Sequence, residues 1–233
     1  MKRMSRRTPL DRLDQLVDVA TAVFIERGYR RTQMADVAAA MGVAKGTLYL
    51  AVASKEALFD LVVRFADAPR PIPALALPVP TPEPGATLRL VRDELIRQQA
   101  PPALTAALER TRVTDVRGEL EAIAGELFDT LARNRRRVKL ADRAALDWPE
   151  LAALWFEGAR EGLGALLARY FDDRIRRRRM LPVPDVAVAA RQVIETCVFW
   201  AVHRHWDARP QGVSDAVARA TAVHFVVHGL AKE

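Results

Sequence analysis

The chain has 233 residues, 50% of them apolar, so a sizeable core is available and global disorder is excluded. A formal charge of +7 and a pI near 10.1 point to a polyanionic partner, most simply nucleic acid, although an arginine-rich genome would produce the same balance. A single cysteine, Cys197, excludes an internal disulfide framework, and no apolar run is long enough to span a bilayer.

The opening Met1 to Arg7 is basic, but Asp11 and Asp14 interrupt the stretch after it, so no signal peptide and a cytoplasmic location are expected. Thr8 and Pro9 offer a cap and a first helical position, and Leu13, Leu16, Val17, Ala20, Val23 and Phe24 then recur at helical spacing until Gly28. A short second helix, capped by Thr32, carries Met34, Val37, Ala38 and Met41. Gly42 and Val43 break it, and a third helix from Ala44 to Tyr49 begins almost at once. Ser54 caps a fourth, whose buried face is Leu58, Leu61, Val62 and Phe65.

Seven of the 14 prolines then fall between Pro69 and Pro84, a density that excludes a helix or central strand. Residues 69–84 are therefore expected to be an extended linker between an N-terminal domain, 1–68, and a C-terminal one, 85–233. Helical patterns resume at Leu88, Val91 and Leu95, then at Leu104 and Leu108 after Pro101–Pro102, then from Leu120 to Leu131. Asp147-Trp148-Pro149-Glu150 looks like a capping box opening a long helix whose stripe runs from Leu151 to Tyr170. Two more helices are expected, from Asp185 to about Trp206 and from Ser214 to about Leu230. Their short connection makes them an antiparallel hairpin, and both are apolar around much of their girth, as a dimerisation surface would be. Nothing reads as a strand. The expectation is an all-α fold of about ten helices.

The segment that carries function is the pair of short helices joined at Gly42, a helix-turn-helix. Its second helix would enter a major groove and present Lys45, Thr47 and Tyr49 on its open side, with Lys55 placed to meet a phosphate. Residues Ala22 to Thr32, Val37-Ala38, Met41 to Tyr49 and Ser54 to Leu58 together resemble the DNA-binding domain of TetR-family regulators over about residues 10–66, with spacing preserved. The resemblance implies a three-helix DNA-binding domain and a C-terminal helical domain for ligand binding and dimerisation. It further implies a homodimer on the double-stranded DNA of a palindromic operator, in most members a repressor released by a small-molecule effector. It makes Gln33, Lys45, Gly46, Thr47, Tyr49 and Lys55 the candidate DNA contacts. The chain departs from the family's habit at Ala44, where a hydroxyl is usual, at Gln33, where threonine is frequent, and at Ala51 and Val52, where an aromatic pair is common. Arg30, Arg31 and the tail residues Lys2, Arg3, Arg6 and Arg7 would compensate.

No catalytic motif, cofactor signature or metal set stands out in the rest of the chain. Gly158, Gly162 and Gly164 lie in a periodic helix, so close helix packing is expected there and not a phosphate loop. His224 and His228 share a helical face and one of His203 and His205 on the preceding helix could join them, but no carboxylate or second cysteine completes the set nearby, and structural or interface roles are expected. Cys197 is expected to be a buried thiol. Phe128, Trp148, Trp155, Phe156 and Trp200 are candidates to line an apolar or amphipathic effector site. The basic runs 133–139 and 174–179 read as solvated helix ends. The alternative to a regulator is a helical enzyme or adaptor that keeps a degenerate helix-turn-helix.

Overall fold

The computed structural model describes residues 9–97 and 100–232. Among them the fold is all-α: twelve α-helices, one π-helical segment and one 3₁₀ turn, joined only by two isolated β-bridges. No described helix is long and apolar enough to cross a membrane. The chain divides into two compact units, and the division differs from the sequence boundary. The proline-rich segment belongs to the first unit, and so does a returning segment, Lys139–Ala153.

In the first unit, α1 (Pro9–Arg27) buries Leu13, Leu16, Val17, Ala20, Val23 and Phe24, the face its spacing predicts. Thr8 and the basic tail lie outside the described residues. Gly28 ends α1 at φ +80°, a left-handed conformation that only glycine adopts without strain. The second helix, α2 (Met34–Met41), is capped at Gln33 and not at Thr32. Thr32 is buried, and its hydroxyl turns back to donate to the Gly28 carbonyl at 2.7 Å. The Gln33 amide donates to Asp36 Oδ2 at 2.8 Å. After Gly42, left-handed at φ +68°, come α3 (Lys45–Tyr49) and α4 (Lys55–Phe65). Ser54 Oγ caps α4 as expected, accepting from Ala57 N at 3.1 Å.

The proline-rich segment is extended but not loose. Ile72 is buried and its amide donates to Asp14 at 2.9 Å, while Arg70 pairs with Asp18 at 2.7 Å, so both are fastened to α1. The next helix, α5 (Ala86–Arg97), is pinned near its start by Thr87, whose buried hydroxyl donates to Asp60 of α4 at 2.9 Å.

In the second unit, α6 (Pro102–Glu109) and α7 (Val116–Arg133) lead into the start of α8 (Arg135–Ala145), whose residues from Lys139 onward belong, with those up to Ala153, to the first unit. The basic run 133–139 therefore ends one helix and opens the next, and is not merely a solvated terminus. Arg135 donates to Asp215 at 2.5 Å, drawing the start of α8 to the start of α12 (Asp215–Leu230). The long helix expected from residue 151 is interrupted. One turn of α9 (Pro149–Ala152) passes into the π-helical segment Ala153–Arg160, and then into α10 (Glu161–Arg176). No capping box forms at Asp147, because Trp148 holds the cap position. The expectation of close packing at the glycines is also corrected: Gly158 and Gly162 are exposed, nothing stands within 4 Å of where a Gly162 side chain would begin, and Gly164 is in ordinary contact with Ile194. The core of this unit is α7 against α11 (Val186–Ala201) and α12, with α10 against α11 and α6. The expected helix end at Trp206 is a 3₁₀ turn, His203–Trp206.

Candidate nucleic-acid interface

A five-residue helix cannot hold itself in water, because nucleating the first turn costs more than so few hydrogen bonds return. The position of α3 therefore depends on its surroundings. Leu48 is its anchor, 2% exposed in the core of the first unit. Its N-cap, Ala44, has no side-chain hydrogen bond, as the missing hydroxyl foretold. The turn leading into it is closed by backbone bonds from Gly42 N to Ala39 O and Val43 N to Ala38 O, both 3.0 Å.

The opposite side of α3 faces solvent. Lys45, Gly46, Thr47 and Tyr49 are all exposed, and the side chains of Lys45, Thr47 and Tyr49 take no hydrogen bond or ion pair among the described residues. Nothing stands within 4 Å of where a Gly46 side chain would begin, so the helix backbone is bare there. Leu50, at the C-cap, is 72% exposed beside Tyr49. Sequence reasoning passed over it, although its place four residues after Gly46 sets it on the same face. Gln33 is exposed at the head of α2.

Lys55 behaves differently from this group. Its ammonium lies 4.5 Å from the Tyr29 ring centroid and donates to the Arg30 carbonyl at 3.2 Å. Burial lowers its pKa, against the pull of Glu56 and Asp147. The chain has thus given Lys55 an internal task, closing the turn between α1 and α2. Tyr29 is held on its other sides by Phe59, at 4.7 Å, and Trp148, at 5.6 Å, and burial with the neighbouring Glu56 pushes its phenol up to about 12.

Trp148 is therefore placed with the helix-turn-helix and not with the other effector candidates. Its neighbours complete the support: Asp147 Oδ2 accepts from Arg30 N at 3.1 Å, and Arg143 donates to the carbonyls of Ile25 and Glu26 at 3.0 and 3.1 Å. These close the last turn of α1, whose carbonyls lack helical partners. Of the remaining candidates, Phe128 is buried in the second core, Trp155 and Phe156 are half-buried on the π-helical segment, and Trp200 packs half-buried on that core. Among the described residues no ring contact joins these four; Trp200 meets Phe199 instead. No cluster of three or more His, Cys, Asp or Glu side chains fit for a metal occurs among the described residues. His228 instead contacts Arg117 at 3.3 Å and stacks on His224.

Residues 16–62 match the sequence model of a family described as bacterial regulatory proteins, tetR family. The transcriptional repressor KstR2 of Rhodococcus jostii is 42% identical over 53 residues, 23% of this chain and 26% of that protein. The chain thus spans about a quarter of the length of the curated relatives it matches. The structure of the ketosteroid regulator KstR2 of Mycobacterium tuberculosis matches over 99% of this chain and 100% of that one, with a TM-score of 0.57 at 20% identity. A structure of AibR with isovaleryl coenzyme A and operator DNA matches over 93% and 98%, with a TM-score of 0.52 at 16% identity. At these identities the likeness is one of fold.

Proposed function

We propose that the chain is a regulator of the TetR family, whose model its residues 16–62 match, and that it is a homodimeric DNA-binding repressor, released from a palindromic operator by a small apolar or amphipathic effector. It acts by binding and not by catalysis. The observation that carries this reading is α3 itself, anchored by Leu48 on one side while Lys45, Gly46, Thr47 and Tyr49 stand exposed and uncommitted on the other. A cation, a bare backbone, a hydroxyl and a phenol on one short helix suit base edges and phosphates.

Dimerisation is supported by the outer face of α11 and α12. Val188, Phe199, Val217 and Phe225 are exposed on these helices, Phe225 by 70%, and Val188 and Phe225 line a groove of about 500 Å³ with Gln192 and Thr196. Apolar surface of this kind favours a second copy across a two-fold axis. An effector is supported by the similar fold of AibR, whose structure holds isovaleryl coenzyme A, and by the π-helical segment bearing Trp155 and Phe156, since such segments recur at functional sites.

A mobility-shift assay on duplexes tiling the region upstream of its own gene tests the reading. Lys45→Ala together with Tyr49→Ala abolishes the shift while leaving the helical circular dichroism unchanged. Undiminished binding by that double variant sinks the proposal in favour of a relic helix-turn-helix.

A further inference from the structure

The exit of α3 is tied to the proline-rich segment. Ala51, Val52 and Ala53 come directly after the helix, and Val52 forms an isolated parallel bridge with Val79. Val79 N donates to the Ala51 carbonyl at 2.8 Å, and Ala53 N donates to the Val79 carbonyl at 2.9 Å. Val52 is fully buried beneath this contact. Two residues later Thr81 donates through its hydroxyl to Ser54 Oγ at 2.8 Å, the oxygen that caps α4. The same segment is fastened upstream to α1 by Arg70 and Ile72, and downstream to α4 by Thr87. It is a strap, held upstream on α1 and downstream on α4 and paired in its middle to the end of α3.

We infer that Val79 is a positioning residue for DNA binding, fixing the exit of α3 and hence the aim of Lys45, Thr47 and Tyr49. The inference rests on the DNA-binding reading above. A helix of five residues has Leu48 as its one buried anchor and lacks a side-chain cap at Ala44, so a hinge at Leu48 is left free unless the exit is held. The two backbone bonds to Val79 hold it. Tyr49 is two residues from the first of these bonds, so a slackened exit displaces it first.

The test is Val79→Pro, which removes the N–H donor from a segment already rich in proline, beside Val79→Thr, which keeps it. The probe is a duplex selected by the wild-type chain from a randomised pool. Val79→Pro is expected to bind at least about tenfold more weakly and with a shallower salt dependence, as phosphate contacts are lost, whereas Val79→Thr binds as wild type does. Amide hydrogen exchange on the wild-type protein supplies a second readout that does not depend on the variant folding. If the strap positions α3 for DNA, bound duplex must in turn slow exchange at Val79 and Ala53, because coupling between two sites is reciprocal. Undiminished binding by Val79→Pro, or unchanged exchange at both amides on adding DNA, overturns the inference and leaves the DNA-binding reading standing. Failure of the wild-type chain to select any duplex refutes that reading, and the inference with it.

Discussion

Replacing Arg174 by methionine should destabilise the second unit by about 4 kcal/mol, from the range for breaking one side of a buried pair. Arg174 is 1% exposed and each of its three nitrogens donates: Nε to Glu119 Oε2 at 2.8 Å, Nη2 to the Ala107 carbonyl at 2.5 Å, and Nη1 to Asp173. Glu119 is equally buried and also accepts from the Tyr170 hydroxyl at 3.1 Å. Methionine fills most of the volume, so the loss is electrostatic and polar and not a cavity. It leaves a buried carboxylate with Tyr170 and the half-exposed Arg110, 3.2 Å away, and it orphans the Ala107 carbonyl, itself worth about 1–3 kcal/mol. For a unit of this size 4 kcal/mol corresponds to a fall in melting temperature of about 15 °C. The assay is thermal unfolding followed by labelling of Cys197, which is buried in the same core and becomes reactive only when that core opens. Glu119→Leu with Arg174→Met should recover much of the loss, because an apolar pair carries no stranded charge. A single Arg174→Met variant that melts within about 3 °C of wild type refutes the reasoning, as do strictly additive effects in the double variant.

Lys45→Ala should weaken operator binding by about 1–3 kcal/mol per half-site without altering the melting curve, whereas Lys55→Ala should lower the melting temperature of the first unit as well, since its ammonium closes onto the Arg30 carbonyl. Trp148→Ala should cost that unit about 3 kcal/mol in urea unfolding by removing a wall of the Tyr29–Phe59 cluster; an unchanged midpoint would show that the returning segment does not support it. Cys197, its thiol pushed up to about 12 by burial, should resist thiol reagents in the native protein at pH 8 and react on denaturation; the linked stability is fully present below the unfolded value of 9.0 and is lost as pH rises past it. Phe225→Glu should shift the chain toward monomer in light scattering, and an intact dimer would place the interface elsewhere.

The helices of the first unit were legible because each carries its own signals. The stripe of α1, the glycine stops at Gly28 and Gly42 and the Ser54 cap are local features, decided by side-chain spacing and backbone freedom within a few residues. The open face of α3 was read from the same short-range pattern. Tertiary structure decided what depends on partners distant in the chain. The Lys55 ammonium was free to be read as a phosphate ligand until Tyr29 and the Arg30 carbonyl, some 25 residues away, were seen to hold it. Asp147 and Trp148 look locally like a helix cap and an effector wall, yet their carboxylate and ring are engaged by residues near position 30, 117 or more positions earlier in the case of Asp147. The proline-rich segment reads as a linker because composition shows only what proline forbids. Its two backbone bonds through Val79 exist only once the chain has folded back on α3, since a backbone hydrogen bond leaves no mark in side-chain identity.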